Sequence, residues 1–135
     1  MQVDTYSTLE SGVPNFLCVG LALHDLGYPV VGIRLDSGDL AYLSKKTRQM
    51  FIDTDKHTGL DIFSKKMIVA SNDLNEEVLY SLDAEGHEID CFGVGTNLVT
   101  CLKQPALGCV YVMRIDSLCL ELWLLLYTAV VIFHI

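Results

Sequence analysis

VVGIRLDSGDL, residues 30–40, has the pattern of a buried strand that runs through a turn into a helix. Val30 to Leu35 are apolar or glycine apart from Arg34, which is typical of a strand in the interior of a sheet. Asp36 to Asp39 are turn formers and end the strand. The helix that follows has its core-facing residues at helical spacing: Leu40, Leu43, Thr47, Met50 and Phe51. We expect a polar connection from Asp53 to Asp61 after it.

The same alternation of strands and helices extends to both sides of this stretch. In chain order, the pattern predicts a helix over Val13–Leu26, a strand over Met67–Ala70, a helix over Leu74–Leu82, a strand over Ile89–Phe92, a short helix over Asn97–Leu102 and a strand over Gly108–Met113. Parallel strands need a crossover connection, so this alternation predicts an α/β protein built from parallel β-α-β units. In such folds, chemistry gathers in the loops at the carboxyl ends of the strands.

Several residues predict where the helices begin and end. Pro14 suits a first helical turn, and Gly27 and Gly86 suit positions just beyond a last turn. Asp73 followed by Glu76 matches a capping box in its Asp variant. We therefore expect the third helix to begin directly after Asp73.

Composition limits the class of partner. The 135 residues suffice for one domain, and 51% of them are hydrophobic, which argues against disorder. The net charge is −8 with only nine Lys and Arg, so neither nucleic acid nor an anionic membrane is an expected partner. A small phosphorylated ligand remains compatible, because backbone N–H groups and one Arg can hold a phosphate locally.

The cysteines and the two ends of the chain indicate a cytosolic protein. No two of the five cysteines have metal-ligand or C-x-x-C spacing, and their apolar surroundings predict small hydrophobic side chains. Residues 1–8 do not resemble a signal peptide. The segment from Leu118 to Ile135 is nearly all apolar, but Glu121 and the absence of basic flanks make a membrane anchor the weaker interpretation. We expect residues 1–113 to form the folded part and residues 114–135 a divergent tail.

The densest group of chemically capable side chains is Arg34-Leu35-Asp36-Ser37-Gly38. Alternation along a strand places Arg34 and Asp36 on one face. An Arg can clamp a phosphate through two parallel N–H donors, and a carboxylate can accept bonds from sugar hydroxyls or hold Mg²⁺. An Arg–Asp pair beside an Asp helix cap, which is common at strand ends, explains the same residues equally well.

Two further polar turns follow predicted strands, and Asp4 follows residues 1–3, which we expect to be the end of another strand. Gly93-Val94-Gly95-Thr96 can let backbone N–H groups approach an anion, although an ordinary turn explains two glycines more simply. Asp4 can bind Mg²⁺ or orient a substrate, or it can equally cap a helix. Ser71 and Asn72 can donate to ligand oxygens, but in isolation they better fit the start of a helix.

Taken in order, these pieces resemble the C-terminal half of the nicotinate phosphoribosyltransferase barrel. The motifs that carry the resemblance are VDTY (3–6), ESGVPNFL (10–17), GIRLDSGDL (32–40), VASND (69–73), GVGT (93–96), TC (100–101) and QPALGCVY (104–111). The resemblance covers about residues 3 to 111. It implies a partial, irregular TIM-like α/β barrel of parallel strands, as in type II phosphoribosyltransferases.

The resemblance also implies an activity. The family joins nicotinate to 5-phosphoribosyl 1-pyrophosphate and releases nicotinate mononucleotide and pyrophosphate, a step of NAD biosynthesis that is coupled to ATP hydrolysis. It implies dependence on Mg²⁺, ATP as a co-substrate, a cytosolic location and a homodimer. The family's phosphorylated histidine and its N-terminal domain would lie upstream of Met1, and Val112–Ile135 matches no family segment.

By the same resemblance, Arg34 and Asp36 are the expected catalytic residues at the pyrophosphate and ribose, and Asp4 is expected near the metal. The expected substrate-binding residues are Thr5, Ser37, Gly38, Ser71, Asn72, Gly93, Gly95 and Thr96, of which the last three would hold the 5-phosphate. Two alternatives stay open: an inactive truncated form that pairs with full-length subunits, and a related nicotinamide or quinolinate phosphoribosyltransferase.

Overall fold

The computed structural model describes residues 1–99. A π-helical turn over Thr8–Gly12 is followed by α1 (Val13–Asp25), β1 (Gly32–Leu35), α2 (Leu40–Thr58), β2 (Met67–Ala70), α3 (Glu76–Glu85), β3 (Cys91–Phe92) and α4 (Thr96–Val99). The predicted strand over Gly108–Met113, the end of the short helix and the divergent tail lie outside this range. None of the helices in residues 1–99 combines the length and apolar character that crossing a bilayer requires.

The three strands form one parallel sheet in the order β1-β2-β3, which confirms the predicted α/β class. Arg34 lies opposite Val69, and Val69 lies opposite Cys91. On the side of β1 away from β2, Gln2 forms a parallel bridge with Arg34, so the N-terminal segment runs beside this strand. Residues 1–99 thus show an open parallel sheet and do not show a closed barrel.

Side chains alternate along the strands between a buried and an open face. Ile33 and Leu35 of β1 are buried, as are Ile68 and Ala70 of β2. Arg34 on the opposite face of β1 is exposed. Because successive strand residues point to opposite sides, one face belongs to the core with the helices and the other presents Arg34.

Three phenylalanines join the helices to the sheet connection. Phe16 of α1, Phe51 of α2 and Phe63 of the following loop lie with ring centroids 5.7 to 6.1 Å apart. All three are buried, and the predicted apolar faces of α1 and α2 supply two of them. Tilted and edge-on ring pairs at this spacing are the favourable arrangements for aromatic packing.

The predicted connection from Asp53 to Asp61 is wrong over residues 53–58, because α2 continues to Thr58. Asp55 is buried and its carboxylate accepts hydrogen bonds from the N–H groups of Ile62, Phe63 and Ser64 at 2.7 to 3.1 Å. These hydrogen bonds stabilise the polar side chain of Asp55 in a buried position of α2. Gly59 ends α2 in a left-handed conformation, as helix-terminating glycines commonly do.

Helix α3 begins later than predicted, and the capping box of Asp73 and Glu76 is wrong. Asn75 is the N-cap, and its side chain accepts from the N–H of Val78. Asp73 instead has a left-handed backbone with φ of 44°, so it lies in the turn before the cap. Gly86 ends the helix as predicted. The first and third strands are shorter than predicted because only Gly32–Leu35 and Cys91–Phe92 pair in the sheet.

Arg48 on α2 holds the amino-terminal ends of β2 and β3 together. Its guanidinium donates to the carbonyls of Ser64 and Lys66 at 2.9 and 2.8 Å, and to Asp90 Oδ2 at 2.7 Å. Asp90 Oδ2 also accepts from the N–H of Ile68 at 2.7 Å. This bond network fixes the two strands relative to α2, at the sheet edge opposite to the polar turns.

We expect Gly12→Ala to destabilise the fold by about 1–3 kcal/mol, the usual cost of inserting a methyl group into packed structure. A Cβ at Gly12 would lie 1.8 Å from the carbonyl oxygen of Val3, so the segment that carries Asp4 would have to move. Urea unfolding measures the effect. Gly95→Ala is the control, because nothing lies within 4 Å of a Cβ there. Equal stabilities of the two variants would contradict the close approach.

Candidate functional site

The polar turns that follow the strands meet at one edge of the sheet. Asp36 and Ser37 follow β1, Ser71 follows β2, and Gly93 follows β3. Asp4 follows the bridge that the N-terminal segment makes with β1. Because all these segments run parallel, their carboxyl ends lie side by side.

Arg34, Asp36 and Ser71 form a closed triangle of polar contacts. Arg34 Nη2 lies 2.8 Å from Asp36 Oδ2, and Arg34 Nε–H donates to Ser71 Oγ at 2.7 Å. The hydroxyl of Ser71 donates in turn to Asp36 Oδ1 at 2.6 Å. The predicted same-face placement of Arg34 and Asp36 is therefore observed. The side chain of Arg34 is 48% exposed, so its outer N–H groups face solvent.

Asp4 is connected to this triangle through the turn after β1. Its Oδ2 accepts from the N–H of Asp36 at 2.5 Å and from the hydroxyl of Ser37 at 2.8 Å. Its Oδ1 is buried and has no hydrogen-bond partner within residues 1–99. The alternative of a helix cap does not describe Asp4, because Ser7 caps the π-helical turn. A buried carboxylate oxygen without a partner is costly unless something else satisfies it.

The structure also contains the Asp helix cap that the alternative explanation of the Arg–Asp cluster required. Asp39 caps α2 by accepting from the N–H of Tyr42 at 2.8 Å, as the cap alternative required. For the turn after β2, in contrast, Asn75 does the capping and leaves Asn72 and Asp73 exposed. Ser71 points back to the triangle. Capping therefore accounts for Asp39 but not for Asp4, Ser71 or Asn72.

A cavity of about 170 Å³ opens beside Ser71. Gly93 borders it closely, since a Cβ at Gly93 would lie 3.4 Å from the Cβ of Ser71, and its N–H donates to the carbonyl of Ala70 at 2.8 Å. The lining residues are Ser71, Asn72, Asp73, Leu74, Gly93, Gly95, Thr96 and Asn97. Five of the predicted substrate-binding residues thus line one small, partly open cavity next to Arg34 and Asp36.

Three of the predicted substrate-binding residues do not line this cavity. Ser37 donates to Asp4 in the turn after β1. Thr5 borders a separate cavity of about 220 Å³, together with Asn15. Gly38 borders a third cavity, of about 420 Å³, between the start of α2 and α3. Asn15 was not singled out from the sequence. Its side chain donates to Ser11 Oγ at 3.3 Å, and the spacing of four residues was the only available signal for this pair.

The carboxyl group of Asp36 stays ionised to lower pH than usual. Burial raises its pKa, but the hydrogen bonds from Ser71 and Arg34 and the charge of Arg34 outweigh burial and lower the pKa. A lowered pKa in the folded protein means that the triangle's contribution to stability is complete above the unfolded value of about 3.9. It is lost as the pH falls through the folded value.

We therefore expect the Arg34 Nε–H signal in NMR spectra to be protected from exchange at neutral pH and to lose protection only below a pH of about 3.9. Asp36→Asn is the matched variant, because it removes the titrating group while keeping the shape of the side chain. A transition that persists in this variant would assign the titration to another group.

Protein side chains alone do not form a metal site within the described residues. In residues 1–99, no group of three or more His, Cys, Asp or Glu side chains is placed to hold an ion. Cys18 and Cys91 are free thiols and are exposed, so the prediction that the cysteines are small core hydrophobes is wrong for these two. Cys91 lies in β3, which within residues 1–99 pairs only with β2. A cation at the site would thus depend on carboxylate oxygens together with water or ligand oxygens.

The open parallel sheet of residues 1–99, with its polar carboxyl edge, defines a protein of the α/β class, and comparison with known proteins gives its family. The nicotinate phosphoribosyltransferase family model matches residues 23–122, so the chain belongs to this family. A nicotinate phosphoribosyltransferase of Dictyostelium discoideum is 65% identical over 109 residues, which are 81% of this chain and 18% of that protein. The human enzyme of the same name is 47% identical, over 81% of this chain and 20% of its own length.

The fold agrees with this assignment. The crystal structure of human nicotinic acid phosphoribosyltransferase superposes with a TM-score of 0.64 at 43% identity, over 69% of this chain and 19% of that one. The chain thus spans about a fifth of the length of the relatives that it matches.

Proposed function

We propose that this chain takes part in the nicotinate phosphoribosyltransferase reaction by binding 5-phosphoribosyl 1-pyrophosphate. The reaction joins nicotinate to this sugar phosphate, with ATP as co-substrate, and yields nicotinate mononucleotide and pyrophosphate for NAD biosynthesis. The observation that carries the proposal is the Arg34–Asp36–Ser71 triangle, which lies at the carboxyl edge of the sheet beside the glycine-lined cavity.

Each predicted residue has a role in this proposal. Arg34 binds the pyrophosphate through its outer N–H groups, and Asp36 keeps the guanidinium in place and faces the ribose. The remaining binding residues are Thr5, Ser37, Gly38 and Asn72 around the ligand, with Gly93, Gly95 and Thr96 at the 5-phosphate. Ser71, which was predicted with them, lines the cavity and bonds Arg34 and Asp36. The cavity at Gly93 and Gly95 supports the assignment for the 5-phosphate, since glycine leaves room for a phosphate near the backbone.

Charge supports a role for Mg²⁺. The cluster combines one cation, Arg34, with two carboxylates, Asp4 and Asp36, so alone it would repel an anion as strongly charged as pyrophosphate. The unpartnered Oδ1 of Asp4 fits a hard cation, which prefers carboxylate oxygen. Asp4 and Asp36 would hold Mg²⁺, which would neutralise the leaving pyrophosphate.

The proposed reaction requires mainly that the substrate is positioned and that the developing charges are stabilised. Breaking the bond between ribose C1 and pyrophosphate builds positive charge on the ring and negative charge on the leaving group. Arg34 would stabilise the leaving group, and Asp36 would stabilise the charge on the ring. Holding the sugar between the triangle and the glycine turn would orient C1 toward nicotinate.

The proposal extends to the rest of the protein. Residues 1–113 would form part of an irregular, type II phosphoribosyltransferase barrel, and residues 114–135 a divergent tail. We further propose a cytosolic protein that forms homodimers and binds neither nucleic acid nor a membrane. No observation favours an inactive pairing form, and the matched relatives are named for nicotinate rather than for nicotinamide or quinolinate.

Calorimetric titration of the chain with phosphoribosyl pyrophosphate tests the proposal. We expect saturable binding that requires Mg²⁺. Gly95→Ala should weaken this binding without loss of stability, because no protein atom lies within 4 Å of the added methyl group, which would occupy the space proposed for the 5-phosphate. Formation of nicotinate mononucleotide from nicotinate, phosphoribosyl pyrophosphate and ATP is the second measurement. Absence of binding with and without Mg²⁺ would contradict the proposed ligand.

A further inference from the structure

We infer that Ser71 is a positioning residue, which acts on the ligand through Arg34 and Asp36 rather than by touching the ligand itself. This inference rests on the proposed function of the same site. Its basis is the bonding of a single hydroxyl group, which lies between two charged side chains of the neighbouring strand end.

The hydroxyl group of Ser71 has only one hydrogen to give. That hydrogen goes to Asp36 Oδ1 at 2.6 Å, while a lone pair on the same oxygen accepts from Arg34 Nε at 2.7 Å. A serine hydroxyl has one donor and two acceptor positions, so it cannot also donate to a ligand oxygen while the triangle is intact. A phosphate accepts hydrogen bonds and gains nothing from the remaining lone pair.

The same bonds determine which edge of Arg34 remains available. A guanidinium has two edges that can each hold an oxyanion through paired N–H groups. Nε and Nη2 form one edge, and within residues 1–99 it is directed at Ser71 and Asp36. The other edge, formed by Nη1 and Nη2, is the one left for a phosphate. Ser71, together with Asp36, therefore sets the direction in which the guanidinium of Arg34 points.

The position of Ser71 in the sheet explains why this residue can do so. Ser71 follows β2 directly, and its N–H donates to the carbonyl of Leu35 at 2.8 Å, which fixes its backbone against β1. Arg34 and Leu35 are neighbours in β1. The backbone bond and the two side-chain bonds thus tie the same two strand ends, and the side chain of Arg34 loses freedom before any ligand arrives. Such pre-organisation favours binding because less entropy is lost on association.

The test compares Ser71→Ala with Ser71→Thr, which keeps the hydroxyl, and with Ser81→Ala as the control. Ser81 is exposed on α3 and bonds only Glu85 among the described residues. One readout is calorimetric affinity for phosphoribosyl pyrophosphate with Mg²⁺. The other is exchange protection of the Arg34 Nε–H signal without ligand, which a purely structural role for Ser71 would not change selectively.

For Ser71→Ala we expect about a tenfold weaker affinity, the size of one hydrogen bond to a charged group, and loss of Nε–H protection with an unchanged melting temperature. Ser71→Thr should retain protection and stay within about threefold of wild-type affinity, and Ser81→Ala should match wild type. Unchanged Nε–H protection in Ser71→Ala would overturn the inference. If the wild-type chain binds no phosphoribosyl pyrophosphate, the proposed function fails, and the Nε–H measurement still decides the role of Ser71.

Discussion

Replacing Arg34 with alanine is expected to weaken binding of phosphoribosyl pyrophosphate to the chain by roughly 30- to 100-fold. The substitution removes a pair of charge-assisted hydrogen bonds, each of about 1.5–3 kcal/mol before solvent screening, and tenfold in affinity corresponds to about 1.4 kcal/mol. It also leaves Asp36 without its partner, so the site becomes more anionic. Calorimetric titration in the presence of Mg²⁺ measures the loss.

Two variants separate the shape of Arg34 from its charge. Arg34→Lys keeps the positive charge but lacks the planar fork, and we expect an affinity between those of wild type and Arg34→Ala. Lys46→Ala removes an exposed cation from α2 whose ammonium group lies over the ring of Tyr42 and not at the triangle, and it should leave the affinity unchanged. Equal weakening by Lys46→Ala and Arg34→Ala would mean that only overall charge matters, and unchanged affinity in Arg34→Ala would refute the assigned role. In a full-length relative, loss of the matching arginine should cut turnover severely.

The largest effect on stability is expected for Asp55→Ala. The carboxylate of Asp55 accepts hydrogen bonds from three consecutive N–H groups, those of Ile62, Phe63 and Ser64, at 2.7 to 3.1 Å. Removing it leaves these donors without their acceptor around the buried ring of Phe63, where each unsatisfied donor costs about 1–3 kcal/mol. We expect a loss of about 3–4 kcal/mol, which lowers the melting temperature by roughly 12–30 °C in a domain of this size.

Thermal unfolding followed by circular dichroism measures this effect. Asp83→Ala is the matched control, since Asp83 is an exposed aspartate on α3 and surface substitutions of this kind usually change stability by less than about 0.5 kcal/mol. Comparable melting temperatures for Asp55→Ala and Asp83→Ala would show that the buried carboxylate does not hold the loop.

The contribution of Asp55 should also depend on pH. Burial raises the pKa of its carboxyl, but the N–H donors of Phe63, Ser64 and Ile62 outweigh burial and lower the pKa. The stabilisation is therefore complete above the unfolded pKa of about 3.9 and is lost as the pH falls through the folded value. Stability differences between wild type and Asp55→Ala should accordingly shrink in acid.

Local patterns predicted most of the elements correctly. The bounds of β2 agree with the predicted Met67–Ala70, and the glycines that follow α1 and α3 were predicted from their positions after the helical pattern. These features depend on neighbours within four residues, which is the range over which periodicity and turn chemistry act. The extension of α2 to Thr58 was missed because Asp55 finds its partners seven to nine residues ahead, beyond that range.

For the candidate site, alternation along the strand placed Arg34 and Asp36 on one face, and the resemblance to the family placed Asp4 near them. Neither was sufficient to predict how they are connected. The sequence was equally compatible with Asp4 as a helix cap. It also predicted Asp73 as the N-cap of α3, whereas Asn75 is the N-cap because the backbone is left-handed at Asp73. Thr5 and Gly38 were grouped with the ligand residues but border other cavities.

Alternation of strands and helices, and the placement of polar turns at strand ends, followed from residues close together in the chain. Which side chains meet was decided only by the fold, because the bonds that build the site join residues far apart. Arg34 and Ser71 are separated by 37 positions, and Asp4 and Asp36 by 32. Parallel pairing of β1 with β2 and with the N-terminal segment brings these residues within hydrogen-bond distance, and strand order and register are properties of the sheet as a whole.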